Sequence, residues 1–239
     1  MKINPRFLIV PALVAGLQAA FAADITGTIT LSGTPPENPT ADTSSAPACS
    51  AIHPEPFKLQ FYSVGPNKEL KDVIVYLKGV TGKSTGESAA PIVLDQKGCE
   101  YVPYVTAVQT GQKILVRNSD PASVPLHNVD VTPTAEGNKP INKAQGTGAS
   151  DITISFPAAE NFLRFKCDVH PWMFSYVTVI DSPYYAVTDK DGHFKISNVP
   201  PGKYTVEALH RKAGKVDKEA EVKDGDVKLD FTLEVPAAK

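Results

Sequence analysis

The sequence predicts an all-β protein, and two observations carry that prediction. Apolar residues recur with a period of two, in runs separated by Gly, Pro and Asn/Asp clusters. Beyond the first two dozen residues, no long window carries the 3.6-residue period of an amphipathic helix. With 42% hydrophobic and 21% charged residues, the chain has enough apolar material for a packed core.

The opening "MKINPRFLIVPALVAGLQAAFAAD" is different. Lys2 and Arg6 precede an apolar run, which ends in the small-x-small triplet Ala20-Phe21-Ala22. That is the pattern of an export signal, expected over 1–22 with cleavage after Ala22. The run is short for a membrane span and contains Pro11. Cleavage would leave 217 residues, one large or two small domains, in the oxidising periplasm. It would also take the formal charge from −2 to −4, which excludes the basic surface that nucleic-acid binding needs.

The strands follow in order. "DITGTITLSG" (24–33), "FKLQFYSV" (57–64) and "DVIVYLKG" (72–79) are strand-like, as is "PYVTAVQTGQKILVRNSD" (103–120), which turns at Thr110-Gly111. "NVDVTP" (128–133), "DITISF" (151–156), "NFLRFKC" (161–167) and "SYVTVID" (175–181) continue the series. "TPPENPTADTSSAPA" (34–48) and "GNKPINKAQGTGAS" (137–150) are loops by composition. The tail runs strand, Asp-Gly turn, strand, Pro-Pro-Gly turn, strand over 186–214, and "GDVKLDFTLEV" adds another.

In the tail, Thr188-Asp189, Asp191-Gly192, Phe194, Ile196 and Val199-Pro200-Pro201-Gly202-Lys203-Tyr204 resemble the carboxypeptidase regulatory-like domain, a small transthyretin-like β-sandwich. That family places two strands ahead of this hairpin. Here they would be "ITGTITLSG" and "LKDVIVYLKG", about a hundred residues upstream. The resemblance implies a discontinuous sandwich of 23–88 and 183–239 with a second domain, 89–182, inserted. The alternative gives the N-terminal strands to the middle domain.

Function is concentrated in "FKCDVHPWMF" (165–174), which spaces Cys167, His170 and Met173 three residues apart in a chain of three Cys and two Met. In the approach strand, Leu163, Phe165 and Cys167 share one face and Arg164 and Lys166 the other, so Cys167 points inward. Pro171 then bends the chain, and His170 and Met173 can fold back towards the sulfur. Thiolate, imidazole and thioether suit copper, and a trigonal His₂Cys set with a weak axial Met is used for electron transfer. The second histidine is sought at His127, which opens a strand after the loop "NSDPASVP". His53 lies beside Cys49 in a Pro-rich loop, and His193 and His210 lie in the tail. Taken singly, Cys167 could be half of a disulfide, Met173 core filler and His127 structural.

Together these residues resemble a plastocyanin-type cupredoxin, a Greek-key β-sandwich, and most closely its amicyanin branch, over about 91–181. The resemblance implies one type 1 copper held by His127, Cys167, His170 and Met173. It implies that Asn128 braces the ligand loop by hydrogen bonding. Its activity would be one-electron transfer between redox proteins, such as a quinoprotein dehydrogenase and a cytochrome c. The odd cysteine count fits this set. Pairing Cys49 with Cys99 closes a loop of roughly 50 residues, about 4 kcal/mol in the chain-entropy model, and leaves Cys167 to the metal. A multicopper enzyme would need further histidines, commonly His-x-His pairs, and the chain has none of these. A storage or delivery protein would carry exposed Met- and His-rich tracts. The expectation is therefore a carrier and not an enzyme. His170 is expected to be the exit ligand, with Pro171 and Trp172, beside Pro125 and Leu126, as an apolar docking patch.

Overall fold

The structure, a computed structural model, describes residues 22–124 and 126–237. The expected export signal lies outside them except for Ala22, and so does Pro125. The fold is all-β, as predicted. In chain order the first elements are β1 (Ala23–Ser32), the short helix α1 (Pro47–Ile52) and β2 (Ile74–Lys78). Then come β3 (Ile92–Gln96), β4 (Tyr101–Val102), β5 (Val105–Gln109), β6 (Ile114–Asn118), β7 (Leu126–Val131), β8 (Ile141–Gly146), β9 (Ile152–Ile154), β10 (Glu160–Lys166) and β11 (Phe174–Ile180). The last are β12 (Tyr185–Val187), β13 (His193–Val199), β14 (Gly202–His210), β15 (Gly214–Val222), β16 (Val227–Lys228) and β17 (Phe231–Glu234). Among the described residues, no helix is long and apolar enough to cross a membrane.

Elements β3 to β11 make one sandwich. One sheet runs β5-β11-β10-β7-β8 and the other β4-β3-β6-β9. Its core includes Leu94, Ile114, Val116, Val129, Leu163, Val177 and the edge-to-face pair Phe156–Phe165. A second sandwich takes strands from both sides of the first. In it β1 pairs β13, β16 and β17, while β2 lies between β12 and β14, with β15 outside β14. Its core includes Ile25, Ile29, Val75, Ile196, Val206 and Phe231.

The seam between the sandwiches explains one sequence feature. All seven residues of β11 are buried. Val177 and Val179 face the core of the first sandwich, while Phe174, Tyr176 and Ile180 pack with Ile74 and Val105 in the seam. A strand covered on both faces has no charged, solvent-facing positions; β11 carries none, and its buried Ser175 and Thr178 are hydrogen-bonded to backbone.

Two segments differ from the sequence reading. "FKLQFYSV" forms no strand. Its ladder bonds go to a neighbouring loop, through Leu59 N–H to Pro39 and the Thr40–Lys58 bridge, so it joins no sheet. Conversely, the polar stretch 137–150 contains β8, which pairs with β7 over six residues. It is an edge strand with Asn142, Lys143 and Ala144 exposed, and such a strand has little apolar pattern to read.

Candidate metal centre

Strand pairing assembles the site at one end of the first sandwich. β10 and β11 are antiparallel neighbours in register from Leu163–Val177 to Lys166–Phe174. The segment Cys167–Met173 is therefore the hairpin turn that joins them. Cys167 N–H donates to the Met173 carbonyl at 3.0 Å, and Met173 N–H to the His170 carbonyl at 2.9 Å. These bonds put Cys167 and Met173 on facing strand ends with His170 at the bend. β7 lies on the other side of β10, where Lys166 pairs with Asp130 in register and through a 2.7 Å ion pair. That brings His127, three residues before Asp130, beside the turn.

The result is a triangle of donor atoms. His127 Nδ1 and His170 Nδ1 are 3.0 Å apart. Cys167 Sγ lies 3.8 Å from the first and 3.7 Å from the second. A point inside this triangle is about 2 Å from all three atoms, the length of a metal–imidazole or metal–thiolate bond. His127 is 0% exposed, Cys167 2%, His170 5% and Met173 0%. Three converging donors shielded from water, two nitrogens and one sulfur, fit a copper or zinc ion.

The electrostatics suit a cation. Burial alone would push the Cys167 thiol up. The two imidazoles and the backbone N–H groups of Asn128 and Val169 outweigh it and bring the thiol down to about 6. Burial alone would lower His127, but the Asp120 carboxylate on its Nε2, at 2.7 Å, and the Cys167 sulfur raise it to about 9. Asp120 resists its own burial because His127 and the N–H groups of Cys99 and Gly98 hold it below the usual carboxylate range.

Asn128 hydrogen-bonds to the turn and to β8. Its Oδ1 accepts Asp168 N–H at 2.6 Å, and its Nδ2 donates to Asp168 and Asn142. It thus ties β7 and β8 to the residue after Cys167. Tyr101 adds a hydroxyl bond to the Asn128 carbonyl, at 2.8 Å. The expected cysteine pair is present: Cys49 and Cys99 form a disulfide, and Cys167 is the free thiol.

The exposed docking patch is corrected. Trp172 is 6% exposed, its ring lies 5.2 Å from the His170 ring, and its Nε1–H donates to the Cys99 carbonyl at 3.1 Å. It is core, because the loop around Cys99 supplies both an apolar wall and a hydrogen-bond acceptor. The outer edge of His170 is likewise covered, since Cys49 Sγ lies 3.5 Å from its Nε2. Pro171 and Leu126 are exposed.

One residue of the site was missed in the sequence. Asp120 lay inside the "NSD" loop with no role assigned. The available signal was an acid seven residues before a candidate ligand, which is too common to single it out. Asn118 fixes it from behind, accepting Asp120 N–H at 3.1 Å.

The comparisons with known proteins are partial. No family model matches the chain, and no curated protein does. Similar solved structures include amicyanin mutants, a pseudoazurin and a Cu-containing nitrite reductase. One is a point mutant of amicyanin in the Cu(I) form, 19% identical, covering 44% of this chain and 97% of that one at a TM-score of 0.32. A Sinorhizobium pseudoazurin is 16% identical over 38% of this chain and 75% of its own, at 0.30. The Cu-containing nitrite reductase of Thermus scotoductus SA-01 is 19% identical over 43% of this chain, at 0.33. The present chain spans 25% of that reductase's length. Nothing beyond its sequence motif supports the carboxypeptidase regulatory-like resemblance of the tail.

Proposed function

We propose that this protein is an exported single-electron carrier with one type 1 copper per chain. The observation that carries the reading is the buried triangle of two Nδ1 atoms and one thiol sulfur, with Met173 buried in the same turn. Copper bound there would supply reversible one-electron chemistry between its cuprous and cupric states. His127, Cys167 and His170 would hold it, and Met173, buried in the same turn, would be the fourth residue toward it. Asp120 fixes the His127 ring by accepting from its outer nitrogen, which leaves Nδ1 for the ion. Trp172 and Cys49 pack against His170 and keep water away.

The remaining histidines are engaged elsewhere. His53 contacts the Gly98 carbonyl at 2.5 Å, His210 accepts backbone N–H groups of Lys212 and Ala213, and His193 sits on the exposed Asp189 turn. That favours a carrier over a copper enzyme. Donors of 0–5% exposure also favour a protein that keeps its ion over one that delivers it. The partners are redox proteins of the periplasm, a quinoprotein dehydrogenase as donor and a cytochrome c as acceptor. His170, with Cys49 and Trp172 on its outer side, would be the residue that couples a bound ion to a partner.

The test is the absorption and electron paramagnetic resonance spectrum of the protein loaded with one equivalent of Cu(II). The reading expects intense visible thiolate charge transfer that Cys167→Ser removes. A colourless cupric protein whose affinity is untouched by Cys167→Ser would sink it.

A further inference from the structure

The segment between β1 and β2 forms a lid over the metal centre. Its neck is closed by its own hydrogen bonds. Asn38 Nδ2 donates to the Tyr62 carbonyl at 2.7 Å and Tyr62 N–H donates back to Asn38 Oδ1 at 2.9 Å. Ala41 N–H to Phe57 and Leu59 N–H to Pro39 continue the neck inward. The tip beyond it carries α1, six residues with no side-chain cap at its start. Such a helix has no stability of its own. The tip is fastened to the first sandwich by Cys49–Cys99, by the His53 contact with Gly98, and by Ala46, Ala48, Ile52 and Phe57 packing on the core. Cys99, by contrast, belongs to the rigid site. Its N–H goes to Asp120 and its carbonyl to Trp172. The disulfide therefore joins a weakly held tip to the shell of the metal ligands, with Cys49 Sγ on the outer edge of His170.

We propose that the Cys49–Cys99 disulfide is a lock on the metal site: an ion enters or leaves only while the pair is reduced, and disulfide formation seals it in. With the bond absent, the tip can swing from its neck and uncover His170 and Cys167. Closure is an exchange with an external disulfide. Cys49 and Cys99 lose two protons and two electrons, a sulfur–sulfur bond forms between them, and the external disulfide leaves as two thiols. Both sulfurs are then 0% exposed, so a reductant has no path to them and the seal persists. The identity of the ion rests on the function proposed above, but the lid itself does not.

The test compares the wild type in its oxidised form with Cys49→Ser/Cys99→Ser, both first stripped of metal. Cys167 is the readout, as the one thiol in each protein that a maleimide can label. The lock expects the variant to label about tenfold faster or more, with hydrogen exchange rising in 41–57 but not in β10 and β11. With copper loaded as Cu(I), transfer to a cuprous chelator should accelerate by a similar factor. Labelling rates within twofold of each other would overturn the lock. So would a variant in which β10 and β11 exchange as freely as 41–57, since the disulfide would then hold the whole fold. If copper fails to bind but labelling and exchange behave as expected, the copper reading falls and the lid stands.

Discussion

The candidate metal centre at the end of the first sandwich and the seam between the sandwiches both bury a histidine, and they treat it in opposite ways. His127, fully buried, is raised to about 9 because Asp120 and Cys167 outweigh its burial. His210, 4% exposed, has no such acid among the described residues at its ring; burial first, and then neighbouring Arg211, hold it down to about 4. At neutral pH the first favours positive charge and the second is a neutral acceptor for two backbone N–H groups. The seam also contains the mirror case, Asp72. It is 5% exposed and pushed up to about 6 by burial, with Lys71 only partly opposing. Burial does not decide charge; the partner does. In one region a carboxylate and a sulfur face the buried histidine; in the other the cations Arg164 and Arg211 lie over the seam's aromatic rings.

The comparison breaks most readily at Asp120. Asp120→Ala removes the acceptor of His127 Nε2–H and of the Gly98 and Cys99 N–H groups. A buried pair broken from one side costs about 3–5 kcal/mol. Urea unfolding of the metal-free protein should show that loss. Metal affinity should fall as well, because the His127 ring loses its orienting partner.

Next comes Trp172. Trp172→Ala should cost about 3–4 kcal/mol, as expected for a large aromatic removed from a core. Trp172→Phe keeps the packing and loses the bond to the Cys99 carbonyl, about 1 kcal/mol. Thermal melts of the two variants check the ratio. Near-equal losses would mean that the hydrogen bond, and not the ring, holds this wall of the site.

The seam gives a smaller effect, with a sign that can be worked out. The folded value of His210 lies below its unfolded value of about 6.5. Below pH 6.5 the unfolded chain takes up a proton that the fold refuses, so stability is full above that pH and drains away down to about pH 4. Asp72 does the reverse. Its folded value lies above the unfolded one, so its contribution is greatest at low pH and is lost as pH rises from about 4 to about 6. Each slope approaches 1.4 kcal/mol per pH unit, and over the shared window they oppose each other. His210→Gln should therefore gain on the wild type as pH falls, and Asp72→Asn should gain as pH rises. Each difference reaches about 1–3 kcal/mol in urea titrations between pH 4 and pH 7. Parallel curves for the wild type and both variants would show that neither group titrates as its burial demands.

Much of this architecture was legible in the sequence, and the exceptions share a cause. Period-two strands such as β1 and β10 announce themselves, because one face is buried and the other is not. The candidate cluster was legible in part because Cys167, His170 and Met173 sit on one turn, where spacing fixes proximity. β8 was missed because an edge strand bordered by solvent has no apolar face to display. α1 was missed because a six-residue helix is held by Cys49 and its packing, not by its own propensity. Trp172 was read outward because a side chain on a turn can point either way until its neighbours are known. The wall it meets, Cys99, lies 73 residues away in the chain. Asp120 is the same case: its meaning lies entirely in a contact with His127.

The smallest expected change in stability belongs to Met173. Two descriptions compete for this fully buried side chain, axial ligand and core filler. Met173→Leu conserves volume, so under either description the metal-free protein should lose less than about 1 kcal/mol. Stability therefore cannot separate them, but the loaded protein can. A thioether that binds the ion would stabilise the cupric state, and leucine has no lone pair to replace it. The variant should keep its thiolate absorption, because Cys167 is untouched, while its reduction potential rises. Spectroelectrochemical titration of the wild type and the variant measures both quantities in one experiment. A potential that does not move would make Met173 filler. The metal would then rest on three residues, and only the wall of Trp172, Cys49 and Asp120 would distinguish this site from an ordinary buried His₂Cys cluster.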